Sequence, residues 1–119
     1  EIHAFTIDGA ANHSNHKLPR WYGPGGERED SLSDPWPSEE RIWCNPPYSR
    51  GNQRRFVEHG IDHATRGGTS VFLLPADTST KLFHELIWKR YQVTFLTKRV
   101  RFVGAPCGAK FGSMVVTFT

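Results

Sequence analysis

The stretch RIWCNPPY at residues 41–48 joins an apolar segment to a rigid corner. Residues 41–44 have the composition of a buried strand. The two prolines after Asn45 cannot donate hydrogen bonds to a neighbouring strand, so the predicted strand ends at Asn45. Because α/β proteins bind ligands where their strands end, this corner is the first candidate for a functional site.

Further strands and helices alternate around this corner. A strand before it and strands after it are predicted at residues 4–7, 70–74, 93–96 and 114–118, with a hairpin arm at 98–102. Segment 70–74 is apolar on both faces, as in a central parallel strand. The order of these elements predicts an α/β fold in one domain over residues 1–119. Its sheet is expected to be doubly wound and mostly parallel, with an antiparallel edge hairpin.

Two helices are predicted between these strands. The first spans 52–66 and stops at Gly67 and Gly68. The second begins at a cap formed by Asp77 or Thr78 and runs to about Tyr91. Its apolar residues recur at helical spacing and predict a core stripe, which consists of Leu82, Phe83, Leu86 and Ile87.

Residues 12–40 show no helical or strand period and are rich in proline and glycine. A long irregular segment inside a small domain is uncommon unless it is functional or disordered. We therefore interpret this segment as an active-site loop region.

Composition restricts the class of protein. The chain has 119 residues, of which 37% are hydrophobic and 23% charged, typical of a small soluble domain. Its longest apolar run, at 71–74, is far shorter than the ~20 residues of a membrane span. The two cysteines, Cys44 and Cys107, fit free thiols in a reducing cytoplasm, one weak disulfide being the alternative.

Charge is distributed unevenly along the chain. Residues 1–40 contain 3 basic and 8 acidic residues, whereas 41–119 contain 12 basic and 4 acidic. This bias favours a polyanionic partner, although a solvated face of lysines and arginines explains it equally well.

The Asn45–Tyr48 tetrapeptide is similar to the motif of amino-methyltransferases. With further segments, the chain resembles the phage-type DNA N6-adenine methyltransferases over nearly its whole length; these segments are 5–8, 30–32 with Trp36, 43–48, 73–76, 80–84 and 99–102. The resemblance implies a compact Rossmann-like methyltransferase sheet and S-adenosylmethionine as cofactor. The family's upstream segment, which commonly contains Thr-Pro, is absent, so we expect an N-terminal segment to be missing.

The chemistry explains why such an enzyme needs this tetrapeptide. An exocyclic amine conjugated to a purine is a poor nucleophile until its lone pair is localised on nitrogen. The Asn45 side-chain oxygen and the Pro46 carbonyl can each accept one amino hydrogen, and Pro46 and Pro47 stiffen the turn. Tyr48 offers a stacking face for a base extruded from the duplex. The plain alternative is a rigid turn with an edge tyrosine.

Cofactor contacts are implied at two places. Asp8, Gly9 and Ala10 follow the first strand, where the turn approaches the methionyl part of the cofactor. Asp30 and Leu32 lie in the irregular segment, where an acid can accept hydrogen bonds and an apolar side chain can pack on adenine. A simple Asp-Gly turn and solvated loop charges are the respective alternatives.

Double-stranded DNA is the implied partner. Basic residues on both sides of the inferred site are candidates for phosphate contacts, namely Arg50, Arg54, Arg55, Lys98, Arg99 and Arg101. Phe102 is either a second stacking face for the flipped base or a core residue. The histidine pairs 13/16 and 59/63 match no zinc signature, so no metal is expected and these residues are assigned to the surface. Cys44 is expected to be a buried structural thiol.

The sequence thus predicts a site-specific DNA adenine-N6 methyltransferase, encoded by a phage or prophage and acting in the bacterial cytoplasm. A role in restriction-modification is part of this expectation. Two alternatives stay open. The same chemistry can act on an RNA amino group or on a protein glutamine, since both present planar nitrogen. A DNA-binding module without activity is the other.

Overall fold

The computed structural model describes residues 4–49, 51–97 and 112–119. Seven elements follow one another along the chain: β1 (Ile7–Asp8), β2 (Arg41–Cys44), α1 (Asn52–Thr65), β3 (Thr69–Pro75), a π-helical turn (Phe83–Ile87), β4 (Gln92–Phe95) and β5 (Ser113–Phe118). The predicted helix at 52–66 and the strand at 41–44 are confirmed. The first strand is shorter than predicted and begins at Ile7 rather than Ala4.

The described strands form one mixed sheet in the order β1-β2-β3-β5-β4. β1, β2 and β3 are parallel, with Ile7 opposite Ile42 and Ile42 opposite Ser70. β5 is antiparallel to both β3 and β4. The α/β class is therefore confirmed. β4 forms the edge of the sheet and is antiparallel to β5, so an antiparallel edge is present as expected. The predicted hairpin arm at 98–102 falls outside the described residues.

β3 lies inside the sheet, paired with β2 on one side and β5 on the other. Val71, Phe72, Leu73 and Leu74 are all buried, as the unbroken apolar run predicts. Helix α1 packs on the face that carries Phe72: a side chain at Gly60 would lie 2.9 Å from the Phe72 ring. This close contact brings the helix against the centre of the sheet.

Trp36 anchors the irregular segment to this core. Its side chain is 0% exposed and its ring lies 5.9 Å from that of Phe72 and 6.5 Å from that of Phe56. The indole N–H is also satisfied, since it donates to the Ser31 carbonyl oxygen at 3.2 Å. Residues 12–40 are thus irregular, as predicted, yet they are packed.

The same segment extends the sheet beyond β1. The Asp8 amide donates to the Arg20 carbonyl at 3.0 Å, and the Tyr22 amide donates to the Asp8 carbonyl at 2.8 Å. These two hydrogen bonds place residues 20–22 beside β1, opposite β2. The start of the loop is therefore fixed next to the end of the first strand.

The second predicted helix is much shorter than expected. It ends at Ile87, because Trp88 adopts an extended conformation and Lys89 a positive φ of 62°. The expected cap is also wrong: the Thr80 hydroxyl accepts the Phe83 amide at 3.2 Å. The core stripe is confirmed, with Phe83 and Ile87 buried and its two leucines packed partly against them.

His63 is buried, which corrects its assignment to the surface. Its Nε2 lies 2.8 Å from the Pro37 carbonyl oxygen, and its ring meets Trp36 edge-on. Position 68 requires glycine beside this ring, because a Cβ there would lie 2.3 Å from His63 Nε2. Burial lowers the pKa of His63. Cys44 is a buried thiol, as expected, and burial raises its pKa.

Two further features are absent from the described ranges. No helix there is long and apolar enough to cross a bilayer. No group of three or more histidine, cysteine, aspartate and glutamate side chains there could hold a metal ion.

Replacing Trp36 with alanine should lower the free energy of unfolding by about 3–5 kcal/mol, the usual cost of removing a buried large aromatic ring. Chemical denaturation measures this loss. Trp88, which is 48% exposed, provides the matched control, and Trp88→Ala should cost far less. Equal losses in the two variants would contradict the anchoring role of Trp36.

The His63 environment should make stability fall in acid. The unfolded imidazole takes up a proton near its usual pKa of 6.5, whereas burial keeps the folded one neutral to lower pH. The free energy of unfolding is therefore lost as the pH falls below 6.5, by up to about 1.4 kcal/mol per pH unit.

Denaturation of wild type and His63→Gln between pH 7 and pH 5 isolates this contribution, because the variant lacks the titrating group. The wild type should lose more stability across this range than His63→Gln. Equal losses in wild type and in His63→Gln would contradict this contribution.

Candidate active site

A cavity of about 460 Å³ opens at the carboxyl ends of β1 and β2. Ala10 and Ala11 line it from the turn after β1, and Asn45 and Pro47 from the corner after β2. Phe56 of α1 contributes an apolar wall. Parallel pairing of β1 with β2 brings the two strand ends together, so the predicted location of the site is supported by a cavity.

The proline corner faces this cavity. Asn45 is half-buried and lines it, and among the described residues its side-chain amide makes no hydrogen bond. Pro46 is buried, whereas Pro47 is exposed at the rim. The side chain of Asn45 is thus held at the end of a paired strand without being used to stabilise that strand.

Tyr48 is half-buried and lies beyond the residues that line the cavity. Burial raises the pKa of its phenol to about 12. The side chain is therefore uncharged at neutral pH, which suits an aromatic surface better than a proton acceptor.

The turn after β1 shapes the cavity through its backbone. The buried Asp8 carboxylate accepts the amides of Ala10 and Lys17, at 3.2 and 2.9 Å, and burial raises its pKa. Gly9 donates its amide to the Trp43 carbonyl at 2.7 Å and packs against β2. Of the three residues predicted here, Ala10 lines the cavity, while Asp8 and Gly9 hold the turn.

The irregular segment supplies an acidic wall, residues 29–31. Asp30, a predicted cofactor contact, lines the cavity together with Glu29 and Ser31. The Ser31 hydroxyl donates to the Gly9 carbonyl at 2.6 Å and so ties the wall to the first turn. Leu32, by contrast, is outside the lining. Sequence reasoning missed Glu29 because several acids occur nearby without a period to distinguish them.

A glycine-rich turn, residues 22–26, also contributes to the cavity. Tyr22, Gly23 and Pro24 line the cavity, and none of them was predicted to do so. The Ala11 amide donates to the Tyr22 carbonyl at 3.1 Å. At Gly23, φ is +133° and a Cβ would lie 1.8 Å from the Ala11 carbonyl oxygen, so this close approach requires glycine.

Charge gives the cavity a preference among ligands. Of the described residues that line it, Glu29 and Asp30 are acidic and none is basic. Neither carboxylate forms an ion pair with another described residue. A negatively charged lining favours a cationic ligand and disfavours one that carries phosphates.

The candidate DNA-contact residues are only partly described. Arg54 is engaged by two carboxylates, those of Glu85 at 3.0 Å and Glu58 at 3.5 Å. Arg55 is exposed, with Asn52 Oδ1 at 3.4 Å from its Nη1. The other predicted residues lie outside the described residues: Arg50, Lys98, Arg99, Arg101 and Phe102.

Comparison with known proteins identifies the family. A family model described as DNA N-6-adenine-methyltransferase (Dam) matches residues 1–115. The chain belongs to this family. The resemblance inferred from the sequence is thereby confirmed, and the match includes both the corner and the acidic wall.

A protein named DNA N-6-adenine-methyltransferase, from Escherichia phage T1, is 32% identical to this chain over 81 residues. The aligned region covers 68% of this chain and 32% of that relative, so the chain spans about a third of the relative's length. No solved structure matches the chain.

Gly23→Ala should destabilise the protein more than Gly25→Ala. Both glycines have positive φ, so alanine at either position costs about 1–3 kcal/mol of backbone strain. Only at Gly23 would the new methyl also meet a backbone atom, whereas at Gly25 the nearest contact is 3.6 Å. Thermal and chemical denaturation compare the two. Equal destabilisation would mean that Gly23 and Ala11 do not approach as described.

Proposed function

We propose that the chain carries the active site of an S-adenosylmethionine-dependent methyltransferase that modifies the N6 amino group of a flipped adenine in double-stranded DNA. The observation that carries this proposal is the position of the Asn45 side chain in a chain of the Dam family. Its amide lines an acidic cavity and forms no hydrogen bond with another described residue. A phage- or prophage-encoded protein acting site-specifically in the bacterial cytoplasm belongs to the same proposal.

The cavity fits the cofactor that this activity needs. A volume of about 460 Å³ lies within the roughly 300–1,000 Å³ of small-molecule sites. S-adenosylmethionine is a net cation at neutral pH, and the carboxylates of Glu29 and Asp30 suit its charge. The small side chains of Ala10 and Ala11 leave the backbone accessible to it. When bound, it supplies an electrophilic methyl group on a sulfonium sulfur.

The corner prepares the amine for attack. The Asn45 side-chain oxygen and the Pro46 carbonyl oxygen accept the two amino hydrogens, which localises the lone pair on nitrogen. Both acceptors are fixed before substrate arrives, because Asn45 directly follows β2 and the two prolines restrict the turn. The amine becomes acidic only as the new bond forms, so the site needs alignment and fixed dipoles rather than a strong base.

Tyr48 and the arginines complete the proposed role. The neutral phenol of Tyr48 provides a flat surface on which an extruded base can stack. Arg55 is exposed close to the corner, and together with Arg50 and the basic residues at 98–101 it would contact phosphates. A Rossmann-like class for the sheet and a single domain over residues 1–119 are part of this proposal, supported by the parallel strands β1 to β3.

Asn45→Ala should reduce kcat by about 10²–10³-fold, the usual effect of removing one fixed electrostatic contact to the reacting group. Transfer of labelled methyl from S-adenosylmethionine to unmethylated DNA measures this rate. Binding of the cofactor should change little, because the variant retains both wall carboxylates.

Gln92→Ala provides the control, since Gln92 is exposed on β4, lies outside the cavity lining and should leave the rate unchanged. Digestion of the labelled product to nucleosides should yield N6-methyladenine. Undiminished methyl transfer by Asn45→Ala would contradict the mechanism. Label recovered on RNA or on protein glutamine, instead of on DNA, would show that the substrate is not DNA adenine.

A further inference from the structure

Arg28 makes an unusual set of contacts beside the acidic wall. Its guanidinium carbon lies 4.4 Å from the centroid of the Tyr22 ring. The same guanidinium donates to backbone carbonyl oxygens of Ser31 at 3.0 Å, Asp34 at 2.7 Å and Pro35 at 3.4 Å. One side chain therefore joins the turn at Tyr22 to the loop that follows the wall.

The neighbouring acids do not compete for this guanidinium. Glu29 and Asp30 follow Arg28 in sequence, yet in the described part of the chain neither forms an ion pair with it. The positive charge of Arg28 is directed to carbonyl dipoles and an aromatic face. Both carboxylates consequently line the cavity without a bonded cation from the residue beside them.

The hydrogen bond from Arg28 to Ser31 closes a short loop. Only Glu29 and Asp30 lie between the two residues, so a fixed distance between the guanidinium and the Ser31 carbonyl restricts both acids. The same carbonyl accepts the Trp36 indole N–H at 3.2 Å. The Ser31 carbonyl is thus held by two side chains, those of Trp36 and Arg28.

We propose that Arg28 is a positioning residue, which fixes the acidic wall at residues 29–31 in the geometry that binds a cationic cofactor. It acts through Ser31 and Tyr22 and does not itself line the cavity. The identity of the cofactor rests on the proposed function. Lysine cannot replace Arg28, because an ammonium group lacks the planar fork that reaches several carbonyls while stacking on a ring.

Arg28→Lys and Arg66→Lys form a matched pair for the test. Arg66 also donates to a loop carbonyl, that of Trp36 at 2.7 Å, but it lies outside the cavity lining. Both variants should lose some thermal stability. Calorimetric titration with S-adenosylmethionine should show a Kd raised about 10- to 100-fold in Arg28→Lys and unchanged in Arg66→Lys.

Kinetics distinguish positioning from general damage. In Arg28→Lys the KM for the cofactor should rise, while kcat at saturating cofactor stays within about threefold of wild type, since the Asn45 corner is untouched. An unchanged Kd in Arg28→Lys, or an equal rise in Arg66→Lys, overturns the proposal. If Arg28→Lys does not fold, Arg28→Gln, which keeps a planar head with two donors, replaces it in the same comparison.

Hydrogen exchange separates this proposal from the proposed function. The Leu32 and Ser33 amides are bonded to Asp30, so their exchange reports on the wall without any ligand. Exchange across residues 29–35 should be faster in Arg28→Lys than in wild type and in Arg66→Lys. Unchanged exchange overturns the positioning role. If the wild-type protein does not bind S-adenosylmethionine but exchange is still faster in Arg28→Lys, the positioning role is supported and the proposed cofactor is rejected.

Discussion

The burial of one indole ring is the constraint on which the site depends. Trp36 comes from a segment that forms neither helix nor strand, yet its ring packs against Phe72 in the central strand. Its N–H meets the backbone of Ser31, and the Ser31 hydroxyl meets Gly9 at the end of β1. Loop, core and strand end are therefore connected through three residues, and the cavity exists because this connection holds the loop over the sheet.

The site combines two kinds of rigidity. The corner at Asn45 is stiff because its strand is paired on both sides and because proline restricts the backbone that follows. The acidic wall has no such support from secondary structure and relies on side-chain hydrogen bonds, above all those of Arg28 and Trp36. In the proposed mechanism, the strand end would supply the fixed hydrogen-bond acceptors, and the carboxylates of the loop would balance the charge of the ligand.

Local patterns predicted those features that local physics determines. The strand before Asn45, helix α1 and the burial of β3 follow from hydrophobic period and from proline and glycine. The interior position of β5 depends on pairing between distant segments, which no local pattern encodes. Spacing in a helix could not distinguish a buried His63 from an exposed one. Glu29 was missed because its loop has no period, and the roles of the site residues remain predictions.

The order of the strands has a consequence for how the chain acquires its structure. β5 is synthesised after β3, yet it pairs with β3 from Ser70 to Pro75. Until it arrives, an apolar strand presents an unpaired edge, the kind of surface that invites association between partly folded chains. Loss of β5 would therefore leave this edge of β3 unpaired during biosynthesis, on the side of β3 away from β2 and the Asn45 corner.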